Sequence, residues 1–425
     1  MLSKFSLKSG LVRNVLTLST GSTIAQAIPV LISPILTRIF PVADFATLTV
    51  VTTLISLLGV IVCGRYEIAI GLPADEKEAK QLVYLSVTVS FFVASVAMVL
   101  MLIFNHQLAR LLNNEAAAPY LLLVPLTSLM YGINQALTYW NIRNRNYALM
   151  SSSRVSQSIT NSGSSLAFGY SGWNFNGLVI GNILGNASAL MYTFFRTISN
   201  GDITFKKSEI NKTHMKELAI KYSELPKVNG THAMVDMLQS TGVIFIISAL
   251  FGNITTGLYG LTLRILQAPL TLIGSSFSIV FYKEVSEKIA NKQRIDKLLR
   301  TTIRTLALIS FPIFLTIMII GPDLFEFVFG ANWRESGVYA QIMSPWLFVN
   351  FISSPVSHLP VILGKQRQFF LLSLVGNILV ILSLLAGSLI FEDVKIGFAL
   401  ISGTQVVYLL GVIYYFMRIA AKAHI

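Results

Sequence analysis

The sequence of 425 residues carries little charge: 12% of its residues are Asp, Glu, Lys or Arg, against about 25% in ordinary soluble domains. It has one cysteine, Cys63, so no disulfide can form within the chain. Its histidines are scattered, and no hydrolase, phosphate-loop or zinc-protease motif is present. These absences exclude a disulfide-rich domain and the common motif-bearing enzymes. We therefore expect no enzymatic activity, no metal and no cofactor.

Long apolar runs make up most of the chain, and 54% of its residues are hydrophobic. A bilayer is crossed by a helix of about 20 apolar residues. The pattern predicts an all-α polytopic membrane protein with twelve transmembrane helices. The predicted spans are 14–36, 45–63, 81–104, 117–140, 152–170, 176–195, 227–250, 255–281, 301–321, 337–361, 369–390 and 396–417.

Basic residues are distributed unevenly about these spans. Of the 32 Lys and Arg, 27 lie in or beside one set of alternate connections, and four lie in the other set. The positive-inside rule places the basic set, and with it both termini, in the cytoplasm. This topology explains the net charge of +13 without nucleic acid as a partner. The one remaining basic residue, Arg264, lies inside a span.

The longest connection divides the spans into two sets of six. We expect an N-terminal six-helix bundle at residues 1–196, a basic cytoplasmic linker at 197–226 and a C-terminal six-helix bundle at 227–425. Pro125 and Gly177 recur 220 residues later as Pro345 and Gly397, which indicates a duplicated unit with a pseudo-two-fold axis. The linker has a possible membrane-interface face, formed by Ile210, Leu218, Ala219 and Tyr222.

Polar residues share one face of several predicted helices. Arg264 and Gln267 do so in the eighth span, Arg154 and Asn161 in the fifth, and Gln26 lies on the polar face of the first. Lipid offers such groups no hydrogen-bond partners, so these faces should turn toward other helices or water. Ser and Thr alone favour helix packing, whereas Arg and Gln favour a wet cavity. We take these five residues as substrate-binding candidates.

Arg264 is the most informative of them, because a charge within a span costs about 3 kcal/mol on insertion scales. Asp236 in the seventh span lies at a similar depth, so the two could form a salt bridge. Alternatively, the guanidinium fork of Arg264 is available to an anionic group such as phosphate. Asp236 and His232, one turn apart, are then ion-coupling candidates, and a core role is the alternative for His232.

Arg65 and Glu67 follow the second span at its cytoplasmic end. Exposed loop charges are the simplest interpretation of this pair. We keep Arg65 as a substrate-binding candidate and Glu67 as an ion-coupling or salt-bridge candidate.

Six segments resemble bacterial polysaccharide flippases of the O-antigen type, and their order and spacing cover nearly the whole chain. They are LTRIFPVADF at 36–45, GRYEIAIGLP at 64–73, YWNIRNR at 139–145, GLYGLTLRILQAPL at 257–270, GPDLFEFVFG at 321–330 and WRESGVYAQIMSPW at 333–346. The stretch from Arg264 to Leu270 is also similar to the eighth-span motif of lipid II flippases, whose matching arginine lines the cavity. The resemblance thus supports Arg264 as a substrate contact.

The resemblance implies a member of the multidrug/oligosaccharidyl-lipid/polysaccharide exporter superfamily, with two six-helix bundles in a V shape. The implied function is to flip an undecaprenyl-pyrophosphate-linked oligosaccharide from the cytoplasmic to the periplasmic leaflet of the bacterial inner membrane, for O-antigen, lipopolysaccharide or capsule assembly. The implied partners are this lipid-linked oligosaccharide, membrane lipids, a proton or cation, and other polysaccharide assembly proteins.

Two other functions are compatible with the composition. A cation-coupled drug or small-molecule exporter would share the fold, but the first span lacks the acidic residue that many drug-extruding relatives carry there. A membrane polysaccharide polymerase or ligase would need a sizeable external catalytic loop, and the longest external stretch, 322–336, is short. The flippase interpretation is preferred.

Reporter fusions test the predicted topology. Alkaline phosphatase, which is active only in the periplasm, should be active when fused after Gly252 and inactive when fused after Gly201 or Ile425. A cytoplasmic fluorescent reporter should give the reverse pattern, because the basic connections remain inside. Phosphatase activity at Ile425 would contradict an even number of spans.

Overall fold

The structure is a computed structural model, and it describes residues 10–173, 175–201, 203, 209–291 and 293–422. Within these ranges the regular elements are helices, and no strand occurs. The chain is an all-α membrane protein, as the apolar runs predicted.

Fifteen α-helices are described, with short 3₁₀ and π turns between some of them. In the first half they are α1 (Gly10–Ile39), α2 (Val42–Ile61), α3 (Glu76–Leu111), α4 (Ala118–Leu121), α5 (Val124–Arg143), α6 (Tyr147–Ser171), α7 (Gly177–Ser199) and α8 (Lys212–Lys221). In the second half they are α9 (Thr231–Pro269), α10 (Ser275–Ala290), α11 (Asp296–Phe329), α12 (Arg334–Ser353), α13 (Leu359–Ile362), α14 (Gln366–Leu389) and α15 (Val394–Lys422).

Eight helices of the described ranges are long and apolar enough to cross a membrane, and a bent pair, Glu115–Leu121 with Val124–Arg143, would make a ninth. The difference from twelve has identifiable causes. The polar helix α6 and the helix α12 are not among these candidates, and the seventh and eighth predicted spans form one continuous candidate, Leu225–Pro269. The number of crossings and the cytoplasmic termini stay predictions.

Helix α9 is interrupted between the seventh and eighth predicted spans. Gly252 has φ 77° and ψ −173°, a conformation that side-chain-bearing residues rarely adopt. The break therefore lies within the predicted short connection, 251–254. Helix α9 ends at Pro269, and the π turn Leu270–Gly274 follows, because proline has no N–H to continue the regular hydrogen-bond ladder.

The chain forms two compact units. The first comprises Met1–Ile32 and Ile39–Asn253, and the second comprises Ser33–Arg38 and Ile254–Ile425. Within the second unit, Trp333 donates its Nε1–H to the carbonyl oxygen of Thr37 at 3.1 Å, which attaches the α1 segment to the start of α12. The division into bundles at 1–196 and 227–425 stays a prediction.

The linker is packed against the first unit. Ile203, Met215 and Leu218 are buried in a core with residues of α3 and α5, and Ile210, Ala219 and Tyr222 pack against the same core. The face for which the sequence suggested a membrane interface therefore covers protein. An amphipathic helix pattern cannot distinguish these two apolar surroundings.

Polar contacts hold the linker in this position. Gln81 on α3 donates its side-chain N–H to the carbonyl oxygen of Glu209 at 2.7 Å and accepts from the backbone N–H of Asn211 at 3.1 Å. The Tyr66 hydroxyl donates to the carbonyl oxygen of Ala219 at 3.2 Å, and Lys221 forms an ion pair with Glu78. The linker thus has a specific docked position.

Leu218→Ala should loosen the docked linker, whereas Ile220→Ala should not. Leu218 is 2% exposed and Ile220 is 66% exposed. Truncating a buried leucine costs about 2–5 kcal/mol, and an exposed apolar residue changes stability by about 0.5 kcal/mol or less. Limited proteolysis in detergent should therefore cleave the linker of Leu218→Ala faster than that of wild type. Equal cleavage of the two variants would contradict docking.

Candidate functional site

A polar cavity of about 290 Å³ lies between α5 and α6 in the first unit. Side chains at helical spacing form its two walls. Helix α5 contributes Tyr131, Asn134, Gln135, Thr138, Tyr139 and Ile142, and α6 contributes Met150, Ser153, Arg154 and Gln157. Helix α6 is suited to form one wall because Ser predominates on it, and lipid cannot provide hydrogen bonds to the serine hydroxyl groups.

A tight turn after α2 brings Arg65 and Glu67 to this region. Gly64 and Arg65 both adopt left-handed backbone conformations, with φ 59° and 63°. The turn reverses the chain so that Arg65 donates its Nε–H to Oδ1 of Asn229 at 2.8 Å, just before α9. Because a non-glycine residue in this conformation is strained, the turn must be stabilised by its surroundings.

Glu67 is buried, with 1% of its side chain exposed. Its Oε1 lies 3.7 Å from Nη1 of Arg65 and accepts a hydrogen bond from Nε2 of Gln135 at 3.4 Å. Burial raises the pKa of the Glu67 carboxyl above its ordinary value, and the charge of Arg65 partly offsets the rise. The pair is therefore not a set of exposed loop charges, which was the simplest interpretation of the sequence.

Several oxygen atoms around Glu67 and in the α5 wall have no hydrogen-bond partner among the described residues. They are Oε2 of Glu67, Oε1 of Gln135 and Oδ1 of Asn134. A buried polar atom left without a partner costs about 1–3 kcal/mol. Such atoms are expected where a ligand or ion completes the hydrogen bonding.

Arg154 lies at the edge of the same cavity and is exposed. Its Nη1 donates to the hydroxyl of Ser22 on α1 at 2.6 Å. Tyr131 lies within electrostatic range of Arg65, Glu67 and Arg154. The structure therefore brings three predicted candidates, Arg65, Glu67 and Arg154, into one region with two positive charges and one titratable acid.

Asn161 and Gln26 have different surroundings. A Cβ on Gly185 of α7 would lie 2.8 Å from Cβ of Asn161, and one on Gly181 would lie 2.2 Å from Oγ of Ser165. This part of the α6 stripe is a close helix–helix contact with α7, in which glycine is required. Gln26 on α1 is exposed.

Arg264 and Gln267 lie on α9 in the second unit, nearly two turns and one turn, respectively, before the π turn at Leu270–Gly274. Arg264 is partly buried and Gln267 is exposed. The structure describes no hydrogen bond or ion pair of the Arg264 guanidinium within this unit. The hydroxyl of Thr262, two residues before Arg264, does have hydrogen-bond partners. It donates to the carbonyl oxygens of Leu258 and Ser336 at 2.8 and 3.0 Å.

Asp236 lies on α9 in the first unit, whereas Arg264 belongs to the second. Their pairing stays a prediction. The side chain of His232 lies outside the described residues. Among the residues that are described, no group of three or more His, Cys, Asp or Glu could hold a metal ion.

The α5 wall was missed by the sequence reasoning. Tyr131, Gln135 and Tyr139 recur every four residues, and Asn134 and Thr138 flank them. This spacing is a visible signal, but Tyr and Thr in spans are commonly lipid-facing or packed, so it did not stand out. Arg143, which the sequence offered only as part of the segment at 139–145, donates to the carbonyl oxygens of Ile70, Pro73 and Ala74, and these bonds hold the segment after Glu67.

Solved structures with the same fold are membrane transporters. An inward-facing multidrug resistance MATE family transporter of the MOP superfamily matches with a TM-score of 0.71, 12% identity and 96% of each chain covered. A MOP superfamily transporter from Pyrococcus furiosus, whose binding pocket is described as having reverse polarity, matches with a TM-score of 0.64 and 12% identity, over 96% of this chain and 95% of that one. The MATE multidrug transporter DinF-BH matches with a TM-score of 0.64 and 17% identity, over 96% of both chains. These likenesses show the fold.

Sequence comparison gives the family. A comparison with curated protein sequences gives no match. The family model described as "Polysaccharide biosynthesis protein" matches residues 35–338, which is well over half of the chain. This match confirms the resemblance noted in the sequence, and family and fold together support a multi-pass membrane flippase or exporter. The chain belongs to the polysaccharide biosynthesis protein family and has the helical fold of MOP superfamily transporters.

Proposed function

We propose that the protein flips an undecaprenyl-pyrophosphate-linked oligosaccharide from the cytoplasmic to the periplasmic leaflet of the bacterial inner membrane. The product would serve assembly of a surface polysaccharide such as O-antigen or capsule. Membership of a polysaccharide biosynthesis family together with a transporter fold supports this function. The carried substrate and the surrounding membrane lipids are the partners it requires, and other polysaccharide assembly proteins would receive the product.

Arg264 is the observation on which the proposal depends. A guanidinium within a span is maintained against a cost of about 3 kcal/mol, and within its own unit it has no described hydrogen bond. A pyrophosphate offers acceptor oxygens that match the two parallel N–H donors of arginine. We therefore assign Arg264 to the pyrophosphate, with Gln267 one turn away as a neighbouring donor.

Arg65 and Arg154 would attract the anionic head group on the cytoplasmic side. Their guanidinium groups lie near the α5–α6 cavity in the first unit. Clefts of one charge sign raise the local concentration of an oppositely charged substrate. In this proposal Gln26 and Asn161 have weaker roles, since the first is exposed and the second contacts α7.

Alternating access would move the substrate between leaflets. Two six-helix bundles, 1–196 and 227–425, would rock about a site near the bilayer centre, while the prenyl chain stays in lipid. Glu67, Asp236 and His232 are the groups that could couple a proton or cation to the return step. The buried Glu67 carboxyl, whose pKa is raised, supports a titratable role for that residue.

A drug or small-molecule exporter is the second candidate. Two of the similar structures are described as multidrug transporters, and this observation favours it. Drug accumulation assays distinguish the two functions. Export of cationic drugs without any effect on surface polysaccharide would support the exporter and contradict the flippase.

Arg264→Ala should abolish most polysaccharide export in a complementation assay. Losing charge-assisted hydrogen bonds of about 1.5–3 kcal/mol corresponds to a loss of about 10- to 150-fold. Arg264→Lys should fall between wild type and Arg264→Ala, because it keeps the charge and loses the fork. Arg110→Ala is the control, since Arg110 is an exposed arginine with only a weak surface ion pair. Full export by Arg264→Ala at normal protein level would contradict the assignment.

Glu67→Gln should remove one component of the pH dependence of stability. The folded-state pKa of Glu67 lies above the ordinary value of 4.5, so the folded protein binds the proton more tightly than the unfolded chain. The corresponding stability is present below about pH 4.5 and is lost as pH rises through the folded-state pKa. Thermal unfolding in detergent should therefore show wild type losing stability relative to Glu67→Gln as pH rises.

The exposed Glu76 provides the control for this measurement, because 67% of its side chain is accessible. The thermal stability of Glu76→Gln should change with pH in the same way as that of wild type over the same range. A constant difference between wild type and Glu67→Gln at all pH values would contradict a raised pKa at Glu67.

A further inference from the structure

The α5–α6 cavity is lined by Gln135, whose amide is oriented by a neighbouring carboxylate. Gln135 donates its Nε2–H to Oε1 of Glu67 at 3.4 Å. While Glu67 is ionised its carboxylate only accepts hydrogen bonds, so the amide nitrogen of Gln135 then faces Glu67 and the amide oxygen faces away. That oxygen, Oε1, is one of the buried atoms without a described partner. Glu67 is in this respect a positioning residue for Gln135.

Oε1 of Gln135 and Oδ1 of Asn134 are acceptors that lack donors among the described residues, and both atoms are covered by neighbouring side chains in this structure. A ligand that satisfies them, once the side chains of the cavity wall turn, must donate hydrogen bonds. A pyrophosphate carries acceptor oxygens almost exclusively, so it does not match them. Hydroxyl and acetamido groups do match, because each provides an O–H or N–H donor.

Two tyrosine rings complete the cavity. Tyr131 is 41% exposed, and Tyr139, two turns further along α5, is partly exposed. Gly59 on α2 allows the Tyr131 ring to approach closely, since an added Cβ there would lie 3.1 Å from the ring. The rings present apolar faces within a polar cavity, and each retains a hydroxyl at its edge. A sugar ring has the same combination of a C–H face and hydroxyl edges.

The edge of the cavity carries positive charge. Arg154 lies there, exposed, and Arg65 is within electrostatic range of Tyr131. This charge disfavours a cationic drug in the cavity and suits a sugar that is attached to an anionic phosphate. About 290 Å³ is at the lower end of small-molecule sites, which indicates room for one or two sugar rings and not for a whole repeat unit.

We propose that the α5–α6 cavity is the sugar subsite, in which Gln135, Asn134 and the rings of Tyr131 and Tyr139 bind a hydroxyl- or acetamido-bearing sugar ring of the lipid-linked substrate. This inference rests on the proposed function and goes beyond it by naming residues that recognise the sugar. The subsite makes Gln135 a specificity-determining residue and leaves the sugar beyond the cavity unselected.

Equilibrium binding with short-chain probes tests the subsite. The probes are farnesyl pyrophosphate and a panel of four farnesyl-pyrophosphate-linked sugars: glucose, galactose, N-acetylglucosamine and N-acetylgalactosamine. Wild type in detergent should bind at least one sugar-bearing probe about tenfold more tightly than farnesyl pyrophosphate. Gln135→Leu should lose about tenfold affinity for that probe, because it removes the acceptor and retains the size of the side chain. Its affinity for farnesyl pyrophosphate should change less than twofold.

Tyr131→Leu is a second variant at a half-exposed position, and it should show the same selective loss even if Gln135→Leu proves unstable. Gln107→Leu, an exposed glutamine on α3, is the matched control and should behave like wild type. Thermal melting verifies that each variant is folded.

The outcomes separate the two proposals. Equal affinity of wild type for all five probes, or equal loss for sugar-bearing and sugar-free probes in both variants, overturns the sugar subsite. In the first case Arg264→Ala still weakens every probe if the flippase proposal is correct. Wild type that binds none of the probes overturns the flippase proposal, and the sugar subsite with it.

Discussion

Lipid offers no hydrogen bonds, and this constraint determines where polar side chains of this protein can lie. Some hydroxyl groups in the described spans satisfy it within their own helix: Ser86 and Ser90 on α3 each donate to the carbonyl oxygen four residues earlier, at 2.8 Å. The single thiol, Cys63, donates to the carbonyl oxygen of Gly132 at 3.2 Å. Groups too large or too charged for this solution must meet another helix or a cavity. The arginine and glutamine residues of the spans therefore identify candidate sites.

The same constraint explains why two different chemistries are found in the two units. In the first unit, a buried carboxylate orients an amide, and the α5–α6 cavity combines neutral acceptors with tyrosine rings. In the second, Arg264 is a cation on an apolar helix that is distorted nearly two turns later, at Leu270–Gly274. In the proposed function, the sugar of a lipid-linked oligosaccharide would complement the first chemistry and its pyrophosphate the second. A simple hydrophobic drug would complement neither.

The fold could largely be predicted from the sequence, because apolar runs indicate helices that cross the membrane and the charged segments between them indicate connections outside it. The predicted break at 251–254 coincides with the non-helical backbone at Gly252, where glycine permits a positive φ. The docked linker could not be foreseen, since Ile210, Leu218, Ala219 and Tyr222 would look the same facing lipid head groups or α3. The burial of Glu67 depends on a two-residue left-handed turn that places it against Gln135. No local sequence pattern predicts such a contact.

The candidate site likewise contains residues that the sequence pattern predicts and residues that depend on tertiary contacts. Arg154 and Arg264 were found because a charge in an apolar or polar-striped span is conspicuous. Gln135 and Tyr139 were missed because their importance depends on α6 lying opposite α5, which is a tertiary contact. Asn161 shared the stripe of Arg154, yet it packs on Gly185, because a helical stripe of this length meets more than one neighbour.

Transport in reconstituted vesicles tests the central claim most directly. Purified protein would be inserted into liposomes containing a defined undecaprenyl-pyrophosphate-linked oligosaccharide, and accessibility of the sugar to an external glycosidase would be followed with time. The account predicts protein-dependent movement of the lipid between leaflets, strongly reduced in Arg264→Ala and retained in Arg110→Ala. No movement above protein-free vesicles, with correctly folded protein and several glycans, would contradict it.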